Sequence, residues 1–180
     1  PLNPTQGSKQ VLAAEIAGLG GDQKFYLLQG RNQWYYPVFD PGFGPFVFSL
    51  RTRVSYGDSY NDDPFPLFKR FFPGGINSVR GYKNRSLGPK DVNGREYGGS
   101  KEFVNNTEFI FPLVNAAGLK GLVFYDVGQA FDDNKSIDFS QLRSAYGFGL
   151  RWSSPLGPIR IEFGFPIDRE DGESNMGMGA

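Results

Sequence analysis

The sequence of 180 residues contains no cysteine and no histidine. Without cysteine there is neither a disulfide scaffold nor thiolate chemistry, and without histidine there is no histidine-based triad and the commonest metal ligand is missing. Basic and acidic residues number 19 each, so the formal net charge is zero, and no basic block indicates a nucleic-acid partner. No apolar run reaches the length of about eighteen residues that a membrane-spanning helix needs. We therefore expect no catalytic residues, no metal, no cofactor and no nucleic-acid partner.

The sequence is rich in aromatic side chains, at 16% of its residues, and in glycine, with 25, and much of it alternates between apolar and polar residues. This alternation predicts eight β-strands. The predicted strands cover residues 11–18, 25–38, 46–60, 103–113, 119–131, 142–152, 158–167 and 175–180. In this interpretation one face of every strand is apolar and free of charge, whereas the other mixes arginine, glutamate and aspartate with small residues.

This distribution of charge indicates a membrane protein. A soluble β-sandwich buries its apolar faces and presents charged faces with few glycines, whereas a transmembrane β-barrel turns the apolar face to lipid and the polar face inward. Aromatic residues that would anchor a barrel at the bilayer surfaces occur at Trp34, Tyr36, Tyr56 and Trp152. An open strand edge in lipid would leave unpaired backbone groups at several kcal/mol each, so the sheet must close. The sequence predicts an all-β, antiparallel transmembrane β-barrel in a lipid bilayer.

The connections between the predicted strands give an orientation. Short turns face the periplasm and long loops face outside in bacterial barrels. On this rule the turns at 38–45, 114–118 and 154–158 are periplasmic, and the loops at 61–99, 132–141 and 168–173 are extracellular. The short turn at 18–24 lies on the outer side by parity alone.

The loop at 61–99 is too long and too apolar to be an ordinary connection. Its large apolar side chains are Phe65, Phe68, Phe71, Phe72, Ile76, Val79 and Tyr82. A solvated tail would carry fewer, so we expect the loop to fold back against the protein. Its stretch 74–82 places Arg80 beside a glycine on a tight turn. From these residues alone, a solvated arginine on an ordered surface loop is the simpler interpretation.

The run Val79-Arg80-Gly81-Tyr82, followed by Leu87-Gly88-Pro89, resembles the signature loop of the BamA family of outer-membrane assembly factors. Three further motifs continue the resemblance in the same order: Asn106 to Phe109, Phe124 to Gly128, and Ser153 to Pro158 leading to Arg160. The resemblance implies a barrel of about sixteen strands behind periplasmic POTRA domains, with residues 1–180 as the C-terminal half of that barrel. It also implies a protein of the Gram-negative outer membrane that folds and inserts unfolded outer-membrane β-barrel proteins, together with accessory lipoproteins of a BAM complex.

The resemblance further implies that the loop enters the barrel lumen, where its arginine meets acidic groups of the inner wall. The strand pattern independently places Glu108 and Asp126 on the polar face. Because guanidinium contacts with carboxylates are charge-assisted and often bidentate, we favour a structural latch over a solvated arginine. The predicted latch comprises Val79, Arg80, Gly81, Tyr82, Glu108 and Asp126.

The other charges receive simpler interpretations. Five lumen residues are expected to form a solvated interior network: Arg51, Arg53, Arg151, Arg160 and Glu162. Three pairs of carboxylates on the outer loops lack the ligand spacing of a calcium loop and are interpreted as solvated turns: Asp62-Asp63, Asp132-Asp133 and Glu170-Asp171.

The mechanism that the resemblance implies is lateral: the first and last strands part, and an incoming strand adds to the exposed edge. The short final strand fits a weak seam, because glycine pairs and packs poorly in a strand. The predicted seam comprises Met176, Gly177, Met178 and Gly179. Family members end on an aromatic residue, whereas this sequence ends at Ala180, and we expect a few residues to be missing. The sequence leaves open a polypeptide-secretion pore of the two-partner type and a small barrel that closes on its own eight strands.

Overall fold

The computed structural model describes residues 4–18, 20, 23–60 and 63–167, and the backbone of residues 177–179. These residues form a single antiparallel sheet of eight strands in which every strand pairs with its neighbour in the chain. The strands are β1 Gly7–Ala17, β2 Phe25–Phe39, β3 Phe46–Ser59, β4 Lys101–Val114, β5 Leu119–Phe131, β6 Arg143–Ser154, β7 Gly157–Pro166 and β8 Gly177–Gly179. Three short 3-10 helices lie between strands, at Leu67–Lys69, Asn115–Ala117 and Phe139–Gln141. In the described part of the chain no helix has the length and apolarity to cross a membrane.

The predicted fold class and strand order are confirmed, with shifts of a few residues at the strand ends. β1 begins earlier than predicted, at Gly7, and β4 begins at Lys101. The predicted last strand is described only over Gly177–Gly179, and Met176 lies outside the described residues. β1 and β8 are the two edges of the sheet, so the eight described strands form a segment of a barrel wall.

The outer face of the sheet is apolar because alternate residues of each strand point to the same side. Exposed apolar side chains on this face include Leu12, Ile16, Leu28, Trp34, Tyr36, Val123, Tyr125, Phe148, Leu150, Trp152 and Ile161. Aromatic rings also pack across strands: the ring centroids of Phe148 and Phe163 lie 5.5 Å apart. A continuous apolar surface of this kind is what lipid contact requires.

The prediction that this face carries no charge was wrong at Asp58, and Lys101, which precedes the predicted strand 103–113, adds a second charge to the same end. Asp58 lies opposite Tyr26 on β2, and Lys101 lies opposite Tyr56 on β3, all on the outer side. The ammonium of Lys101 sits 5.0 Å from the centroid of the Tyr56 ring and donates to the carbonyl of Asp133 at 2.9 Å. Both charges lie where the strands meet the long loop, beyond the apolar band, so they need not enter lipid.

The inner face is covered in part by the loop between β3 and β4. Three buried loop side chains, Val79, Tyr82 and Leu87, form one apolar cluster with Val104 of β4 and Ala145 of β6. The loop therefore folds back onto the wall, as its apolar content predicted, and it carries Arg80 to the inner face.

Candidate functional site on the inner wall

The tip of the loop is a tight turn closed by its own hydrogen bonds. Gly74 and Gly75 have φ of +112° and +94°, a conformation that favours glycine. The amide of Gly74 donates to the Ser78 hydroxyl at 2.7 Å, and the amide of Gly75 donates to the Val79 carbonyl at 3.1 Å. This turn projects Arg80 toward the wall in a defined direction.

Arg80 binds the carboxylate of Asp126 through both its side chain and its backbone. Its Nε and Nη2 donate to the two oxygens of Asp126 at 2.6 and 2.7 Å, and its backbone amide donates to Oδ2 at 3.0 Å. The Asp126 side chain is 0% exposed and that of Arg80 is 3% exposed. This bidentate arrangement gives the arginine one orientation. The structure thus brings together the two residues at the centre of the predicted latch.

Arg80 also reaches Glu108 on β4 and Glu162 on β7. Its Nη1 donates to Glu108 Oε1 at 2.7 Å and to Glu162 Oε2 at 3.0 Å. The guanidinium carbon lies 3.6 Å from the centroid of the Phe124 ring, a cation–π distance. Burial alone would lower the pKa of Arg80, but the hydrogen bond and charge of Asp126, with Glu108 and Glu162, outweigh it and raise the pKa. The arginine is therefore a permanent cation in a buried acidic pocket.

The prediction that the remaining lumen charges form a solvated network was wrong for Glu162. Its side chain is 1% exposed and contacts three arginines, namely Arg80, Arg151 and Arg160, at 2.8–3.0 Å. Glu108 is equally buried and contacts Arg51, Arg80 and Arg151. The connected charges form one cluster, which we call the Arg80 cluster: Arg51, Arg80, Glu108, Asp126, Arg151, Arg160 and Glu162. Of the predicted network, only Arg53 lies outside this cluster, and it pairs with Glu102. Asp126 differs from the two glutamates because Arg80 is its sole ion-pair partner among the described residues.

The backbone around Arg80 is fixed to the wall at several points. The Asn106 side-chain amide donates to the carbonyl of Ser78 at 2.6 Å, and Arg160 donates to the carbonyl of Ile76 at 2.8 Å. The Tyr82 hydroxyl donates to the carbonyl of Ser144 on β6 at 2.9 Å. These contacts anchor the turn on both sides of Arg80.

Gly81 lies directly on the backbone of Gly164 in β7. A Cβ placed on Gly164 would come within 2.5 Å of the Gly81 amide nitrogen and 2.7 Å of its Cα. Gly81 itself has φ of +90°. Glycine is therefore needed at both positions for the loop to approach β7 closely enough for Arg80 to reach Glu162.

The sequence model of the Omp85 superfamily domain matches residues 1–178. The chain therefore belongs to the Omp85 superfamily. This Omp85 domain is 32% identical over 97% of its length to the outer membrane protein assembly factor BamA of Nitratidesulfovibrio vulgaris, and 29% identical over 94% to BamA of Neisseria meningitidis serogroup B. It spans 22% and 25% of those two relatives.

The fold of this Omp85 domain is similar to that of a crystal structure of BamA from Haemophilus ducreyi lacking POTRA domains 1–3. The TM-score is 0.84 at 22% sequence identity, over 97% of this chain and 38% of the crystallised chain. The sheet accordingly has the fold of a segment of a β-barrel wall. The predicted outer-membrane location is confirmed by the similarity in sequence to the outer membrane assembly factors.

A second arginine of the Omp85 domain, Arg70, holds the two ends of the loop together. Its side chain is 4% exposed and binds Asp133 through Nη2 at 2.8 Å. It also donates to the carbonyls of Phe65 and Gly98 at 3.2 and 3.0 Å. The amide of Phe65 donates to the same oxygen of Asp133 at 2.9 Å. Both ends of the loop therefore converge on the turn that follows β5.

The interpretation of Asp132-Asp133 as a solvated turn was wrong. Asp132 lies 3.5 Å from Arg70 and accepts a hydrogen bond from the Tyr97 hydroxyl. That hydrogen bond raises the pKa of Tyr97 to about 12, so the phenol stays protonated and donating at neutral pH. Of the other two pairs, Glu170-Asp171 and Asp62 lie outside the described residues.

We expect Arg70→Ala to loosen the ends of the loop while Arg80 stays bound. Losing the buried contacts to Asp133 and two carbonyls should cost about 2–3 kcal/mol, or roughly thirtyfold or more in the open population. Limited proteolysis of the full-length parent protein, with cleavage sites mapped by mass spectrometry, measures this at residues 63–72 and 95–99. Lys69→Ala is the matched control, because Lys69 pairs with Glu15 at a partly exposed position. Equal cleavage of the two variants would contradict a role for Arg70.

Of the predicted seam residues, Gly177, Met178 and Gly179 lie in β8 at one edge of the described sheet, and Met176 lies outside the described residues. The described residues of β8 pair with β7 at three positions, Gly179 with Glu162, Met178 with Phe163 and Gly177 with Gly164.

Proposed function

We propose that this Omp85 domain is the C-terminal part of the barrel of an assembly factor that folds and inserts β-barrel proteins into the bacterial outer membrane. The observation that carries the proposal is the buried Arg80 cluster. It fixes the long loop inside a lipid-facing wall in a chain whose relatives include BamA proteins. The domain holds no catalytic group in this proposal, and its action is non-covalent.

The proposed mechanism is strand addition at the edge formed by β8. A substrate strand would pair with backbone groups that an edge strand leaves free, as in β-augmentation. Among the described strands, β8 pairs on one side only, with β7, so its other side is the edge at which a strand would add. The latch of Val79, Arg80, Gly81 and Tyr82 would hold the loop in one position on the inner wall while the edge opens.

The proposed partners are unfolded outer-membrane β-barrel proteins, the lipid bilayer and accessory lipoproteins. Periplasmic POTRA domains would precede this domain in the parent protein. A barrel closed on these eight strands alone is not supported, since β1 and β8 are the two edges of the described sheet.

The test is the rate at which an unfolded β-barrel protein folds into liposomes with and without the full-length parent protein. We expect acceleration by the wild type and at least about a tenfold smaller effect for Arg80→Ala, because Asp126 would be left buried without its cation. Arg95→Ala is the matched control, as Arg95 lies exposed on the same loop. Passage of a secreted chain without acceleration would instead identify a secretion pore. If the protein showed neither activity, the proposal would be overturned.

A further inference from the structure

A row of cations crosses the inner wall on the side of the Arg80 cluster that faces the short turns. Lys120 of β5 lies directly opposite Arg151 of β6, which lies directly opposite Arg160 of β7. Like charges placed directly opposite each other on neighbouring strands destabilise a sheet. The row therefore needs a compensating charge.

The carboxylates of the wall do not balance this row. Five cations lie together, Arg51, Arg80, Lys120, Arg151 and Arg160, and they meet three carboxylates, Glu108, Asp126 and Glu162. Lys120 forms no ion pair with a carboxylate of the described residues, and the residue opposite it on β6 is the cation Arg151. Two positive charges remain in excess around Lys120.

Four of these five cations line a cavity of about 240 Å³ at this level of the wall. Its lining includes Arg51, Lys120, Arg151 and Arg160, with Val47 and Ile110 on its apolar side. Arg51 and Arg160 each donate only through Nη2 within the described residues, to Glu108 for Arg51 and to Ile76 and Glu162 for Arg160. Arg151, in contrast, uses all three of its nitrogens on Glu108 and Glu162. The cavity thus combines excess positive charge with an ammonium group and two guanidinium groups whose Nη1 donors are not used within the described residues.

We propose that this cavity binds an oxyanion, a phosphate or carboxylate group, held by Lys120, Arg51 and Arg160. Planar guanidinium groups match such oxygens in geometry, and an ammonium group adds a compact charge. Arg151 contributes charge to the site and keeps its hydrogen bonds to the glutamates. The proposal does not depend on the assembly function, because the three residues that would hold the oxyanion lie on β3, β5 and β7 and not on the loop or the β8 edge.

The oxyanion has two possible sources, free phosphate or a carboxylate from a part of the polypeptide outside this chain. Calorimetric titration of inorganic phosphate into the full-length parent protein, against chloride at matched ionic strength, tests the first. Lys120→Gln should weaken saturable phosphate binding at least about tenfold. Lys9→Gln is the matched control and should leave binding unchanged, because Lys9 lies opposite Gln33 on the same face and does not line the cavity.

Thermal unfolding of the same variants tests the second source. If a protein carboxylate occupies the cavity, phosphate will not bind, and Lys120→Gln will lower the unfolding midpoint while Lys9→Gln will not. If no oxyanion binds, Lys120→Gln removes only repulsion with Arg151, so the midpoint will stay the same or rise. An unchanged or raised midpoint for Lys120→Gln, together with no phosphate binding, would overturn the proposal. Equal weakening of phosphate binding by both lysine variants would also overturn it.

Discussion

Replacing Asp126 by alanine should release the loop from the inner wall. Asp126 accepts three hydrogen bonds from Arg80, and breaking a buried ion pair by removing one partner costs about 3–5 kcal/mol. Protease cleavage of a segment that opens and closes rapidly follows the population of its open form. Cleavage within residues 73–89 of the full-length parent protein should therefore rise by roughly a hundredfold or more, at about 1.4 kcal/mol for each tenfold change.

A double-mutant cycle with Arg80→Ala makes this prediction specific. Each single change leaves a buried charge without its partner, whereas the double variant removes both, so its cleavage should be no faster than that of the worse single variant. Glu102→Ala is the control, since Glu102 is also a buried carboxylate of this wall but binds Arg53 and not Arg80. Strict additivity of the two single changes, or equal release by Glu102→Ala, would contradict direct coupling of Arg80 with Asp126.

A charge swap between the two positions is a poorer test, although a two-residue latch would suggest it. Arg80→Asp would place a carboxylate beside Glu108 and Glu162, which now contact the arginine at 2.7 and 3.0 Å. Repulsion from these two buried glutamates would remain after Asp126→Arg. The geometry therefore favours removing both charges over exchanging them.

The barrel wall could be predicted from the sequence because its signal is local. Alternation of side chains follows from the twofold period of a strand, and lipid on one side makes that alternation strong. The same rule failed at Asp58, since the strand continues past the apolar band and alternation does not mark where the band ends.

The site could be predicted only in part, because it depends on register across strands that are distant in sequence. Glu108 and Asp126 were found from their side of the strand and from the resemblance. Glu162 was missed because its contact with Arg80 depends on where the loop tip meets β7, which alternation does not determine. A hint was available in the position of Glu162 between Arg160 and Gly164 on the polar face of its strand.

The second anchor of the loop had no distinctive sequence signal. Arg70 stands beside Lys69, and nothing in the sequence distinguishes the buried cation from its partly exposed neighbour. Asp132-Asp133 has the composition of a polar turn, and the three-segment contact with Phe65 and Gly98 exists only once the loop has folded. Contacts made by loop ends are set by the wall on which the loop lies.

Gly164→Ala should displace the tip of the loop while leaving every charge of the cluster in place. The new methyl group would meet three backbone atoms of Arg80 and Gly81 at 2.5–2.8 Å, closer than real contacts allow. Overpacking of this kind costs typically about 1–3 kcal/mol, and the backbone of the turn, rather than a flexible side chain, must move. Arg80 would be drawn away from Asp126 and Glu162, so cleavage of the loop should rise by roughly five- to a hundredfold.

Gly30→Ala is the matched control for this change, because a Cβ on Gly30 would meet only a Leu12 side-chain atom at 3.6 Å, an ordinary contact. If Gly164→Ala acts by lifting the loop, adding it to Arg80→Ala should increase cleavage little further, since the ion pairs are already lost. It should also reduce the folding activity of the parent protein as Arg80→Ala does. A Gly164→Ala protein that is cleaved like the wild type would mean that the loop tip does not rest on β7 in the intact barrel. Glu162 would then be too far from Arg80 to share its charge.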